Sequence, residues 1–381
     1  MAKANVKGAK VKKAKDKNAE DKKSKAVKVR RTPAAAAKAP RKAAAALALP
    51  ATGPVTLEEA RALARQAKGP AGMADVQVPR ATAASVGEER QKLAKEHAQD
   101  VARRVGDYKA TMSVMKKRGA RRAKAPPGVE AAPSFAPLQV LAEGDSWFDY
   151  PAPFFDGGII PRLENRLGVP ILSLAKAGDE VRYMLGVEER ILLGKHLREG
   201  CPVGGEWDAL LFSGGGNDIV HNPMALWIKD YDPAGSPADQ INQPRFTAAL
   251  ALVRAGYEDL ISLRNALSPS TQLVFHGYDF ALPDGRGVCF YGPWLKPTFT
   301  LRKFPTQDAA FEVVKVMLQQ FAATLTSLAA NPGVTVIDTQ GALPAQKSSW
   351  HNELHPSNKG FNVFVDRFYT RIKELFPTRV V

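Results

Sequence analysis

From Phe135 onward, short apolar runs alternate with longer segments of helical period, and this alternation restricts the fold more than any other feature. The runs are Leu138–Ala142, Pro170–Leu174, Ala209–Phe212, Gln272–Phe275 and Val334–Ile337. Helical patterning fills the gaps, best at Val181–Leu197, Arg245–Leu267, Gln307–Ala329 and Asn358–Leu375. Strand and helix in alternation argue for a parallel sheet covered by helices on both faces. The expected fold class is α/β, a three-layer αβα sandwich around a five-stranded parallel sheet with right-handed crossovers. Such sheets place their chemistry at the carboxyl ends of the strands.

Four strand ends or late loops carry residues suited to chemistry. The first run breaks into Gly144-Asp145-Ser146, where Gly144 permits a tight bend and Ser146 is presented at the mouth of a cleft. The second runs into Ala175-Lys-Ala-Gly178, and Gly178 opens a helix whose first N–H groups lack partners. The third ends in Gly214-Gly-Gly-Asn217-Asp218, where Asn217 supplies a neutral NH2 donor. Near the end, His355 precedes Pro356 on a loop before the last helix, and an imidazole there suits proton transfer near neutral pH. Taken singly, Gly144-Asp145-Ser146 has an ordinary reading as a turn, Gly178 as a turn glycine and Asn217 as a capping Asn.

As an ordered set these blocks resemble the SGNH (GDSL-type) hydrolase superfamily: Gly144-Asp145-Ser146, then Gly178, then Gly215-Gly216-Asn217-Asp218, then His355-Pro356. The resemblance spans residues 136–376. It implies a flavodoxin-like catalytic domain over 136–381 and a serine hydrolase acting on a carboxylic or acetyl ester. By that resemblance Ser146 is the nucleophile and His355 the base. The oxyanion is then held by the Ser146 and Gly178 N–H groups and the Asn217 side chain, with no metal and no organic cofactor. One position departs from the family pattern. Three residues before His355, where an Asp is usual, stands Asn352. Its carbonyl can accept the imidazole N–H but carries no charge, and Glu353 or a backbone carbonyl are other candidates to orient the His.

Several aromatics follow the nucleophile, among them Trp147, Tyr150, Phe154 and Phe155, as candidate pocket walls or core. The segment Asp279–Phe304 is long for a strand-helix connection and is a candidate cover for the substrate. His351 sits four residues before His355 without an acidic cluster, which makes a metal site the weaker reading.

Upstream, residues 51–130 read as a helical N-terminal region. Capping boxes at Thr56-Leu-Glu-Glu59 and Ser85-Val-Gly-Glu88 mark helix starts. An amphipathic stripe through Leu93, Val101, Val105, Tyr108, Met112 and Met115 suits packing on the same domain or on a partner. Pro126-Pro127-Gly128 marks a boundary. Charge matters for the first 50 residues, a Lys/Ala-rich stretch carrying +13 of the chain's +16. That composition predicts a disordered basic tail, serving either to engage a nucleic acid or other anionic polymer or only to solubilise the chain. Cys201 and Cys289 form no zinc pattern and read as free thiols in a reducing, cytoplasmic setting; no segment reads as a secretory signal or a membrane span. An alternative to the esterase is a catalytically weak binding module of the same fold, favoured by Asn352 alone. Which ester is cleaved is not legible.

Overall fold

The computed structural model describes residues 53–68, 86–121, 134–150, 157–288 and 291–380. The basic tail, Ser85, the Pro126-Pro127-Gly128 boundary, Phe154, Phe155 and Cys289 lie outside the described residues. Five parallel strands form at the five expected places: β1 (Val140–Gly144), β2 (Ile171–Ser173), β3 (Ala209–Ser213), β4 (Gln272–His276) and β5 (Val334–Ile337). They pair in the order β2-β1-β3-β4-β5. Every residue of β1 and β3 is buried, which is why Val140–Ala142 and Ala209–Phe212 within them read as continuous apolar stretches rather than alternating ones. The chain steps outward from β1 to β2 and then returns across β1 to β3. That reversal opens a crevice at the carboxyl ends of β1 and β3.

Seven longer helices accompany the sheet in the described residues: α1 (Leu57–Lys68), α2 (Val86–Arg118), α3 (Ile159–Leu167), α4 (Val187–Glu199), α5 (Gln243–Leu267), α6 (Gln307–Thr326) and α7 (Asn358–Leu375). The single helix expected over Val181–Leu197 is broken. A turn at Val181–Met184 ends at Leu185, and α4 starts anew from Gly186, which adopts an extended conformation. Helix α3 was not expected. It is short, and Pro161 falls in its first turn, where a missing N–H costs little.

The Thr56 capping box forms as read: the Thr56 N–H donates to Glu59 Oε2 at 2.8 Å, and the Glu59 N–H donates to Thr56 Oγ1 at 3.2 Å. Val101, Tyr108, Met112 and Met115 of α2 are buried in the same apolar core as the sheet, with the Tyr108 and Trp207 rings 5.8 Å apart. The α2 stripe is thus used within its own domain. Cys201 is buried as a free thiol beside the Tyr108 hydroxyl. Helix α6, read in sequence as a helix between strands, is with the 3-10 turn that extends it to Ala330 apolar enough by length and composition to cross a membrane, where no span was expected. Its Val313, Met317, Phe321 and Leu325 are buried in the core, which accounts for that apolarity.

Candidate active site

The turn after β1 is built on a close strand approach. Gly144 has no positive φ. A Cβ on it would fall 2.7 Å from the Ser213 carbonyl oxygen and 2.8 Å from Ser213 Cβ, so glycine is needed here for contact with β3 rather than for the bend. Beneath the turn lies a buried polar network. Asp145 Oδ1 accepts from the Trp147 N–H at 3.0 Å and from Ser213 Oγ at 2.9 Å, and Oδ2 accepts from the Tyr278 hydroxyl. Burial pushes the Asp145 carboxyl up to about 6, with these hydrogen bonds opposing the rise. Because Ser213 gives its proton to Asp145, it accepts from His276 Nε2 at 2.8 Å. That contact fixes the His276 tautomer, and burial lowers its pKa to about 3. Sequence reading missed Ser213, His276 and Tyr278. The available signal was Phe275-His-Gly-Tyr278-Asp279 at the carboxyl end of β4, the same placement that exposed the other blocks.

Ser146 and His355 meet across the crevice, with Ser146 Oγ 2.6 Å from His355 Nε2. Asn352 stands behind the imidazole. Its Oδ1 is 2.9 Å from His355 Nδ1 and also accepts the Leu354 and His355 backbone N–H groups, each at 2.9 Å. Three donors on one oxygen settle which end of the amide faces the His. The Asn352 NH2 then donates to the Tyr150 hydroxyl at 3.1 Å, and that hydroxyl is 2.6 Å from His351 Nδ1. The Tyr150 ring stacks on His355, centroids 4.4 Å apart and planes inclined by 30°. His355 is buried, and desolvation, with His351 nearby, lowers its pKa to about 3, which keeps it neutral.

On the other side of the nucleophile, Asn217 Nδ2 donates to the Asp179 carbonyl at 2.9 Å, which orients the amide and leaves its second N–H for another acceptor. Gly215, two residues before it, has φ 97°, and a Cβ there would lie 2.6 Å from the Phe321 ring. Gly178 has φ 88° and opens onto space with no atom near its Cβ position. Neither the Ser146 nor the Gly178 N–H has an acceptor among the described residues. Ser146, Asn217 and His355 line one cavity; Gly178 is not part of its wall and stands one residue from the Asp179 carbonyl that Asn217 holds.

Glu353, a candidate to orient the His, is occupied elsewhere. Its buried carboxylate accepts the backbone N–H groups of Gly285, Trp294, Leu295 and Lys296 at 2.8, 2.5, 2.7 and 3.0 Å, one oxygen or the other taking each. It pins the long segment after β4 in place. Through that clasp Trp294 meets His355 edge-on at 5.8 Å, and Leu295 joins the cavity wall. Trp147 is both core and wall: it is 3% exposed, lines the cavity beside Ser146, and has its indole N–H on the Leu354 carbonyl.

A family model described as the GDSL-like lipase/acylhydrolase family matches residues 143–363. No curated protein sequence matches the chain. Among solved structures, an extracellular lipase from Streptomyces rimosus is 16% identical, with a TM-score of 0.41 over 61% of this chain and 99% of that one. A phospholipase A1 from Streptomyces albidoflavus is also 16% identical, TM-score 0.36, over 61% and 98%. A carbohydrate acetylesterase from Sinorhizobium meliloti is 13% identical, TM-score 0.39, over 63% and 100%.

Proposed function

This chain belongs to the GDSL-like lipase/acylhydrolase family and is an ester-hydrolysing enzyme, and from that premise we propose that it works through a Ser146 acyl-enzyme with His355 as general base. The observation that carries the proposal is the 2.6 Å contact between Ser146 Oγ and His355 Nε2. A neutral imidazole whose Nδ1–H is held by Asn352 leaves its Nε2 lone pair facing the hydroxyl, the arrangement a general base requires.

Ser146 Oγ attacks the ester carbonyl carbon as its proton passes to His355 Nε2. The carbonyl oxygen becomes an oxyanion, received by the Ser146 and Gly178 N–H groups and the free N–H of Asn217. Loss of one such donor typically costs about 3 kcal/mol of transition-state stabilisation. The tetrahedral species collapses, the C–O bond to the alcohol breaks, and His355 returns the proton to the leaving oxygen. Water then repeats the cycle on the acyl-enzyme, with His355 taking its proton, and frees the carboxylic acid.

A fluorophosphonate probe on the full chain, mapped by mass spectrometry, tests the assignment. Labelling at Ser146 that disappears in Ser146→Ala is the expected result. Absence of labelling on folded protein would return the chain to the weak binding-module reading.

A further inference from the structure

We propose that the cavity beside Ser146 is an acyl pocket selecting short, unbranched aliphatic acyl groups, a reading that rests on the hydrolase assignment above. Its wall away from Ser146 and His355 is built largely from Ile219, Val220, Leu295, Val314, Met317 and Leu318. The last three of these come from one face of α6, so a rigid helix rather than a loop sets its depth.

Apart from the donors at Ser146 and Asn217, which face the ester carbonyl, the carboxylates on the wall are already engaged by the protein. Asp145 takes protons from Trp147, Ser213 and Tyr278. Asp279 accepts the backbone N–H groups of Phe280, Gly341 and Leu343 at 2.8, 2.7 and 2.8 Å. A sugar hydroxyl entering here would lose its water without regaining a partner. A methylene chain loses nothing of that kind and is drawn in by burial.

The pocket fits the acyl part rather than the alcohol because of the order of events. The alcohol must leave before water can enter, whereas the acyl chain stays bonded to Ser146 through both steps. A largely apolar recess suits the group that remains. Its size sets the length. The recess has a volume of about 40 Å³, well under the roughly 150 Å³ of an apolar cavity that takes up benzene. A short acyl chain fits such a space and a long one does not.

The test is kcat/KM on 4-nitrophenyl acetate, butyrate, hexanoate and decanoate with the full chain. Each buried methylene contributes roughly fourfold, so butyrate, with two more, is expected to exceed acetate by roughly fifteenfold, and decanoate to fall below butyrate. Val314→Phe, which fills the pocket, lowers the butyrate-to-acetate ratio toward one. Should that variant not fold, Met317→Ala enlarges the pocket instead and moves the optimum to longer chains. Acetate preferred over butyrate, a flat profile, or folded variants with the wild-type profile overturn the pocket assignment and leave the hydrolase standing. Turnover of none of the four esters, together with an unlabelled Ser146, removes the hydrolase reading itself and this inference with it.

Discussion

A carboxylate behind a general-base imidazole does two things: it fixes the tautomer, and its charge stabilises the imidazolium that forms. Asn352 does the first through its 2.9 Å contact with His355 Nδ1 and offers nothing toward the second. The stacked Tyr150 ring is the nearest compensation, since an aromatic face attracts a cation. Burial holds the free imidazole at about 3. A base works deprotonated, so activity is lost as pH falls through its pKa, and the acidic limb of kcat/KM should lie well below the ordinary histidine value. Asn352→Asp adds an opposite charge, favours the imidazolium and should move that limb upward by a unit or more, with kcat at pH 8 rising about tenfold. Asn352→Ala frees the ring and should lower kcat by roughly 10- to 100-fold. A pH–rate profile of the three proteins decides the matter, and an unmoved limb in Asn352→Asp would remove Asn352 from its place behind the His. Ser146, Asn217 and His355 were legible in sequence because each sits at a strand end or before a proline. Asn352 was legible from its offset to His355. The Tyr150 stacking was not, because nothing local to Tyr150 reports a contact with a residue so distant in the chain.

At the level of the strand, β1 holds a carboxylic acid where an apolar side chain is the rule. Glu143 is 4% exposed, its carboxyl accepts the Gly144 N–H at 2.8 Å, and it has no ion pair among the described residues. Burial pushes it up to about 8 from the ordinary 4.5 of a glutamate. Asp218, like Asp145, is raised to about 6 by burial. A carboxyl whose folded pKa lies above its unfolded one binds its proton more tightly when folded. Its contribution is fully present below pH 4.5 and is lost as pH rises toward 8. The fold should therefore weaken by about 4 kcal/mol between those limits on account of Glu143 alone. Glu143→Gln, neutral at every pH, should flatten that slope, as read from urea midpoints at pH 5 and pH 8. Equal slopes in the two proteins would show that Glu143 is not the titrating group. The same residue explains a boundary. The apolar run reads as ending at Ala142, yet the strand continues to Gly144, because a protonated Glu can be buried where a charged one cannot. Likewise the break at Leu185-Gly186 was hidden by an apolar period that continues on both sides of it.

Across the whole molecule, the helices before the sheet are part of what holds the site, a relation that composition and periodicity do not carry. The stripe on α2 was legible as amphipathic, but its partner was left open, since an apolar face does not name what covers it. The structure supplies the partner and one polar link. Arg104 on α2 donates to the Ala175 carbonyl at 2.9 Å, to the Ser173 carbonyl at 3.5 Å and to Asp149 Oδ1 at 3.2 Å. It thereby ties the segment leading to Gly178 to the turn that carries Ser146. Only 21% of its side chain is exposed, so its carbonyl partners would not all find water if it were removed. Arg104→Ala should lower stability by about 1–3 kcal/mol. It should also lower kcat several-fold with little change in KM if the donors it braces serve, as proposed, the oxyanion and not the resting ester. Arg104→Lys keeps the charge but not the fork, and should restore stability more than kcat. Loss of stability with kcat intact would mean that α2 supports the fold but not the oxyanion donors, and that Gly178 is held in place by its own loop.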